Sequence, residues 1–396
     1  MIDPKYAKRM SDSQSSVIRE MLKLSQDKSY ISFAGSDSDP RHFPFDQLEE
    51  EKQKQIANGQ KFRRGISEGS ENLREALAEY LRSIDLHPEI NEIQITTGSQ
   101  QALDLTGKLF IDEGDAIVVE RPTYMGAINA FKLYYPRILE ADMDEDGMKM
   151  DHLEKLLKTE NRIKFIYTIP DFQNPTGRCL SAERRQRMVE LAEKYNVMIL
   201  EDSPYYSLRF DGKRIPPIMH YDECGCVIYL GSASKIISPS LRVGWLYSYN
   251  HIIKKYLIIK QSSDLHTNED MQHQIADALR SDTFAGHICD ITATYRKKRD
   301  LMIRLLNEHM GSEIYHTSPN GGLYLWLVLP KNWVAEDILK MSLKEKIIFI
   351  PGSNFFVSKK QHNTLRLSYA TMKDNDIIQG IKKLSSIFET YKSTLK

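Results

Sequence analysis

The chain has 396 residues, 41% of them hydrophobic and 27% charged, the proportions of a folded globular protein long enough for two domains. Lysine plus arginine equals aspartate plus glutamate at 54 each, so net charge gives no ground for nucleic-acid or membrane-surface binding. Four cysteines, Cys179, Cys224, Cys226 and Cys289, are too few for a disulfide framework at this length.

At the amino terminus, Met1-Ile2-Asp3-Pro4-Lys5 lacks the apolar core of a signal peptide, and no run approaches a membrane span. A cytoplasmic protein is expected. Residues 71–83 place Leu73, Leu77, Tyr80 and Leu81 at helical spacing. From there strand-like runs at Ile93–Thr97, Ala116–Glu120, Lys164–Ile169, Val197–Glu201, Val227–Leu230 and Val243–Tyr247 alternate with helix-like ones. Ser181–Tyr195 is such a helix, with Ser181 as N-cap. This alternation predicts an α/β fold with a mainly parallel sheet and helices on both faces.

Residues 251–310 read as mostly helical, and a charged amphipathic stretch near 291–310 would carry the chain out of the sheet. Beyond it, Leu323–Leu329, Ile347–Ile350 and Thr364–Tyr369 read as strands between helices, a smaller α+β domain that amino-terminal residues would complete. With no repeat and no long linker, the domains are expected to interleave: 40–290 the large one, 1–39 with 291–396 the small one.

In open α/β sheets ligands collect at the carboxyl ends of the strands, and the informative polar residues fall there. Thr96-Thr97-Gly98-Ser99-Gln100-Gln101 closes a strand and opens a helix; it is either a plain strand–helix turn or a phosphate cradle. Asn174-Pro175-Thr176-Gly177 is turn chemistry that could also aim an amide at a phenolate oxygen. Asp202 follows a buried strand, where it caps a loop or holds a ring nitrogen protonated. Ser232-Ala233-Ser234-Lys235 presents one lysine at a strand end, with Arg242 seven positions on. That setting suits a solvated surface residue or a lysine that forms an imine with an aldehyde cofactor. Cys224-Gly225-Cys226 has no second Cys or His pair at ligand spacing, so no metal site is expected.

Taken in order, Ser99-Gln100, Tyr124, Asn174-Pro-Thr-Gly, Asp202-x-x-Tyr205, Ser232-x-Ser234-Lys235 and Arg242 give the chain its resemblance to a known group. The chain resembles the fold-type I, pyridoxal-phosphate-dependent aminotransferases of class I/II, and within them the 2-aminoadipate/kynurenine/aromatic branch. The resemblance runs from about Ser16 and includes Ile31-Ser-Phe-Ala-Gly35, Thr123-Tyr-Met-Gly-Ala-Ile128 and Asn363-Thr-Leu-Arg-Leu-Ser-Tyr-Ala370. It implies a seven-stranded-type sheet in the large domain and a homodimer with shared active sites.

It also implies roles. Lys235 would hold pyridoxal 5'-phosphate (PLP) as an imine and act as the base, Asp202 would pair with the ring nitrogen, and Asn174 and Tyr205 would bond the ring oxygen. Tyr124 would stack on the ring, while Ser99, Gln100, Ser232, Ser234 and Arg242 would hold the phosphate. Arg366 would bind the substrate α-carboxylate, unless it is a surface strand arginine, and Gly35 would line the substrate entry. Arg19 matches an arginine that reads an acidic side chain in some relatives, or is a solvated helix position.

The pattern is broken in places. Arg64 stands where relatives usually carry a tyrosine that reaches the neighbouring subunit's phosphate, and it could still bind that phosphate as a cation. Gly35-Ser36 replaces the usual Gly-Gly, Ala233 a common Phe, and Ser240 a common Gly, which together suggest an altered pocket. The implied activity is ping-pong transfer of an amino group between an L-amino acid (2-aminoadipate, glutamate or aromatic) and a 2-oxo acid. A C–S β-lyase would use much the same apparatus. A regulatory PLP-binding module would need a preceding DNA-binding segment, which a pattern starting near Ser16 does not lead one to expect.

Overall fold

Eight strands form one sheet in the order Ile93–Thr96, Gly244–Tyr247, Val227–Ser232, Met198–Asp202, Ile163–Thr168, Ala116–Arg121, Arg137–Asp144, Gly147–Met148. The computed structural model describes residue 2 and residues 4–10, 17–57 and 65–395. Five neighbours, from Val227–Ser232 to Arg137–Asp144, pair in parallel. Gly244–Tyr247 pairs antiparallel to both of its neighbours, and the two-residue edge strand Gly147–Met148 is also antiparallel. The expected seven strands are present, with Gly147–Met148 as a short eighth.

Successive side chains of a strand face opposite sides, so a strand buried at nearly every position must be covered on both. Val227–Ser232 is buried throughout, and Ala116–Arg121, Ile163–Thr168 and Met198–Asp202 at all but one position each. The cover comes from two helix groups. Ser99–Phe110 packs on Met125–Lys132 and Asn250–Gln261, while Met150–Thr159 packs on Ala182–Tyr195. Capping fixes the helix ends: Ser181 Oγ accepts from the Arg184 amide, and Asn196 closes the same helix in the left-handed conformation at φ 52°. Ser70 Oγ likewise accepts from the Leu73 amide at the start of Glu71–Arg82.

Sequence reasoning passed over the strand Arg137–Asp144. It lies near the sheet edge, only Ala141 in it is buried, and its Arg-Ile-Leu-Glu-Ala-Asp-Met-Asp lacks the apolar signature of the central strands.

Phe284–His309, 26 residues and about 39 Å long at about 1.5 Å per residue, carries the chain from the large sheet to the smaller one. That sheet is antiparallel, in the order Tyr315–His316, Tyr324–Val328, Thr364–Ser368, Ile350–Pro351. Helices Ala335–Lys344 and Asp374–Thr394 pack beside it. The expected strand Ile347–Ile350 is split at Phe349. Ile347–Ile348 pairs in parallel with Ile31–Ser32, so amino-terminal residues do join this part, and Ile350–Pro351 pairs with Thr364–Ser368. Among the described residues no helix is long and apolar enough to cross a membrane.

One contact in the large sheet leaves no room for a side chain. A Cβ on Gly231, in a fully buried strand, would fall inside the indole of Trp245 on the adjacent strand. Gly231→Ala should therefore destabilise the protein by about 1–3 kcal/mol through overpacking, read as a lower urea midpoint at unchanged slope.

Candidate active site

The one internal antiparallel strand shapes the site. Gly244 pairs with both Thr96 and Ser232, the last residues of two strands running the other way. The loop entering Gly244–Tyr247 therefore shares an edge with the loops leaving the parallel strands. Arg242, Gly98-Ser99 and Ser234-Lys235 converge there, and the ends of the remaining strands supply Tyr124, Asn174 and Asp202.

Lys235 ends a short 3-10 turn, Ala233–Lys235, in which Ser232 Oγ accepts from the Ser234 amide at 3.2 Å. Its Nζ donates to the Ser36 carbonyl at 2.7 Å and lies 3.9 Å from Asp37 Oδ1. Burial holds the ammonium below its ordinary pKa; Asp37 opposes this and the cations Arg242 and Arg366 reinforce it. Asp202 is buried. Tyr167 donates to its Oδ2 at 2.8 Å, while Oδ1 has no hydrogen-bond partner among the described residues. Desolvation raises Asp202 to about 6, against the pull of Tyr167 and Lys235.

Asn174 sits in a loop held from below. Gln173 Nε2 donates to Glu120 Oε2 at 3.0 Å and to the Pro122 carbonyl at 2.8 Å, and Gln173 Oε1 accepts from the Thr176 amide and hydroxyl. Fully buried Arg185 grips Asp171 with both Nη atoms at 3.1 and 3.0 Å. Arg366, on the smaller sheet, donates to Asn174 Oδ1 and to the Ala34 carbonyl, each at 2.9 Å, and its Nε has no partner among the described residues. The guanidinium lies 4.3 Å from the Tyr324 ring centroid and 5.3 Å from that of Phe355. Tyr324 and Tyr205 bring their hydroxyls to 3.3 Å, and burial pushes both phenols up.

The helix Ser99–Phe110 starts with amides that no turn before it can accept, next to a cation. Gly98, at φ 79°, makes this possible: a Cβ there would lie 2.6 Å from Arg242 Nη2. Gln100 Nε2 donates to the Gly126 carbonyl at 2.9 Å, and the Tyr124 hydroxyl reaches Gln100 Oε1 at 3.5 Å. Burial raises the Tyr124 phenol to about 12. Its ring lies against its own helix, where a Cβ on Gly126 would enter it.

The structure thus brings together Lys235, Asp202, Tyr205, Asn174, Arg366, Tyr124, Gln100, Ser99, Ser232, Ser234 and Arg242, with Gly35 on the segment between Arg366 and Lys235. Arg366 is 2% exposed, which removes its reading as a surface arginine. Arg64 lies outside the described residues. Arg19 lies on the helix Val17–Leu24, and its side chain is outside the described ones. Asp222, Cys224 and Cys226 draw their ligand-type atoms within 4.8 Å of one another, but the Asp222 carboxylate is already taken by four backbone amides.

Sequence reasoning missed Tyr167, Tyr324, Phe355 and Asp37, and noted Ser36 only as a break in the usual Gly-Gly. The first three sit on strands or turns where an aromatic reads as core, and no local pattern separates them from it. Ser36-Asp37 carried a signal, a broken Gly-Gly followed by a charge, whose weight only the fold reveals.

In chemical terms the site offers a lysine with a depressed pKa, a buried carboxylate with one open oxygen, a buried guanidinium with one open N–H, and an anion corner of amides and Arg242. A family model described as aminotransferase class I and II matches residues 36–384. The chain is 38% identical over 398 residues to aromatic-amino-acid aminotransferase 1 of Thermococcus litoralis, covering 99% of this chain and 95% of that relative. The solved kynurenine aminotransferase of Pyrococcus horikoshii, in complex with PMP, KYN as substrates and KYA as products, aligns with a TM-score of 0.93 at 35% identity, covering 99% of this chain and 98% of its own. An α-aminoadipate aminotransferase from Thermus thermophilus, complexed with N-(5'-phosphopyridoxyl)-L-leucine, aligns with a TM-score of 0.92 at 35% identity, covering 98% of both chains.

Asp202 also gives a pH signature. Because its folded pKa is raised from the ordinary 3.8 to about 6, the folded state holds the proton more tightly than the unfolded one. Its contribution is then fully present below about pH 4 and lost as pH climbs through 6. In ligand-free protein, Asp202→Asn should gain on the parent by about 3 kcal/mol as pH rises from below 4 to about 7, and stay level above. A urea-stability difference that is flat across this range would contradict the burial argument.

Proposed function

We propose residue roles and substrates from one premise: the chain belongs to the class I and II aminotransferases, pyridoxal-phosphate-dependent transaminases that move an amino group between an amino acid and a 2-oxo acid. The cofactor is pyridoxal 5'-phosphate, and the residues present fit it. The observation that carries this is the unpartnered Oδ1 of buried Asp202, an acceptor suited to a protonated ring nitrogen, in the electrostatic field of Lys235. The open amides of Ser99 and Gln100, with Arg242, Ser232 and Ser234, would hold the phosphate. Asn174, whose oxygen is committed to Arg366, keeps its NH2 for the ring oxygen, where Tyr205 joins it. Tyr124 would cover the ring face. Arg64 would reach the phosphate of a second copy in a homodimer with shared sites.

When bound, pyridoxal phosphate supplies an electrophilic aldehyde for the amino group and a protonated ring that accepts the electron pair from Cα. The chain does the rest. Arg366 fixes the α-carboxylate, and Gly35 leaves room for the substrate beside it. Lys235 Nζ, its pKa lowered by burial, takes the proton from Cα and returns one on the same face. Asp202 keeps the ring nitrogen protonated. Asn174 holds the ring at right reach from Arg366 across the two sheets. Release of the first oxo acid before the second binds gives ping-pong kinetics.

The donor is inferred to be an aromatic amino acid, 2-aminoadipate or glutamate, on the strength of the relatives' names, with Arg19 as the contact for an acidic side chain. The domain division expected from the sequence, 40–290 against 1–39 with 291–396, belongs to the same proposal. The pairing of Ile31–Ser32 with Ile347–Ile348 supports it.

Lys235→Ala should lower transaminase kcat by roughly 10³-fold with cofactor still bound; full turnover in this variant would rule out its role as base. Arg366→Lys keeps the charge but loses the planar fork, so kcat/KM for any amino acid should fall by about 10- to 100-fold. Pyruvate and ammonia formed from a sulfur amino acid with no oxo acid present would instead mark a lyase.

A further inference from the structure

Between strand Ile31–Ser32 and the turn at Pro40 the chain crosses the mouth of the site. Ala34 is tied by its carbonyl to Arg366, and two residues on the Ser36 carbonyl accepts from Lys235 Nζ. The segment is held firmly. Ser38, 1% exposed, donates through Oγ to the Lys235 carbonyl at 2.9 Å, and the Asp39 amide donates to the Tyr295 hydroxyl at 2.9 Å. The buried Asp39 carboxylate takes Lys298 at 2.8 Å and also binds Arg41. Asp37 sits between these anchors. Its Oδ1 is 3.9 Å from Lys235 Nζ, yet its side chain is 63% exposed and the Lys235 hydrogen bond goes to a carbonyl instead.

This geometry bears on the substrate. The four groups on its Cα have assigned directions: the carboxylate to Arg366, the nitrogen to the cofactor, the hydrogen to Lys235, and the side chain to what is left. Residues 34–37 span the first and third of these directions, so they form a wall of the side-chain space, and that wall carries a carboxylate. Coulomb interaction over a few ångströms near a protein surface is large enough to sort side chains by charge.

We propose that Asp37 is a specificity-determining residue that turns the side-chain subsite toward amino acids with a cationic or hydrogen-bond-donating side-chain end and against those ending in a carboxylate. The proposal rests on the transaminase reading and narrows its substrates: of the donors that the relatives' names suggest, it sets aside the acidic ones, 2-aminoadipate and glutamate. A negative wall repels an ω-carboxylate and attracts an ω-ammonium, while an alkyl end is indifferent to it. Asp37 also acts on Lys235, but that influence is common to every substrate and cancels in a ratio. Any contribution from Arg19 sorts these substrates too, but it is the same in parent and variant and cancels when their ratios are compared.

Three substrates isolate the effect, because they share three methylenes and differ only in the group at the end: L-ornithine with an ammonium, L-2-aminoadipate with a carboxylate, and L-norleucine with a methyl. The holoenzyme is mixed with each in single turnover, and kcat/KM is read for the parent, Asp37→Asn and Asp37→Lys. In Asp37→Asn the preference for ornithine over 2-aminoadipate should fall about tenfold, as about threefold on each substrate, the scale of a partly exposed charge pair. Norleucine should move less than about twofold relative to their mean. Asp37→Lys should shift the ratio further in the same direction, and added salt should shrink the differences. An unchanged ratio, or three substrates moving together, overturns the role of Asp37 while leaving the transaminase reading intact. No half-reaction in the parent with these three or with an aromatic amino acid overturns both.

Discussion

Gly244 is where three strands are forced together, and the site depends on it. A Cβ at this position would lie 2.8 Å from Gly98 C and from Ser99 N, and 2.9 Å from the Gly231 carbonyl oxygen. Only a residue without a side chain lets an antiparallel strand enter at the edge where its two neighbours end. Arg242 delivers the chain to this point in the left-handed conformation, φ 54°, which costs a non-glycine residue about 1 kcal/mol. In return the guanidinium lands against Gly98, at the start of the helix Ser99–Phe110. An anion corner is therefore a product of sheet topology and three small residues rather than of any single binding motif.

Below that edge lie carboxylates with contrasting accounts. Glu201 and Asp202 are consecutive, face opposite sides of the sheet, and are both buried. Glu201 accepts from the Ile218 and Met219 amides and from Ser203, so its burial is matched by local partners. Glu120 ties Thr168, the Ile169 amide and Gln173, bracing the loops after two neighbouring strands. Both are raised to about 7 by desolvation. Among the described residues Asp202 has Tyr167 alone and keeps an open oxygen. Between these saturated neighbours, its open oxygen is placed to accept from a ligand.

The same physics decides how much of this was legible in the sequence. Strands buried on both faces are apolar runs, and Val227–Ser232 or Ile163–Thr168 stand out for that reason; Arg137–Asp144, half in solvent, does not. The residues ending the parallel strands could be named because the fold type fixes where ligands gather. Lys235, Asp202 and Asn174 were found that way, and Arg242 by its spacing from Lys235. Tyr324, Phe355 and Tyr167 were not, because an aromatic near a ligand and an aromatic in a core have one signature in sequence. The split of Ile347–Ile350 at Phe349 was illegible too, as both halves are β-branched and their different partners are distant in the chain. Asp37 stood in plain view as a charge after a broken Gly-Gly, but its meaning depends on a contact with Lys235, far away in the sequence.

Arg366 links the two sheets into one site, and in the proposed role it would set the energetic terms for a substrate. It is buried before any anion arrives, and its charge is offset by two neutral acceptors, Asn174 and the Ala34 carbonyl, and by the faces of Tyr324 and Phe355. Most of the desolvation of the guanidinium has thus been met by folding and is not charged again on binding. In the proposed role, an incoming α-carboxylate would find a cation whose attraction is little screened by water, with Nε open among the described residues. The Asn174 contact turns this into orientation: its amide oxygen faces Arg366 and leaves the NH2 free, so one side chain would align the proposed carboxylate-binding group of the small sheet with the proposed ring-binding groups of the large one. The Thr123 amide bonded to the Phe355 carbonyl, and Glu140 accepting from the Val357 and Ser358 amides, add further ties between the two parts. Site geometry is then a property of the interface between the sheets, and a change that loosens those ties would be felt first in the alignment of Arg366 with Asn174.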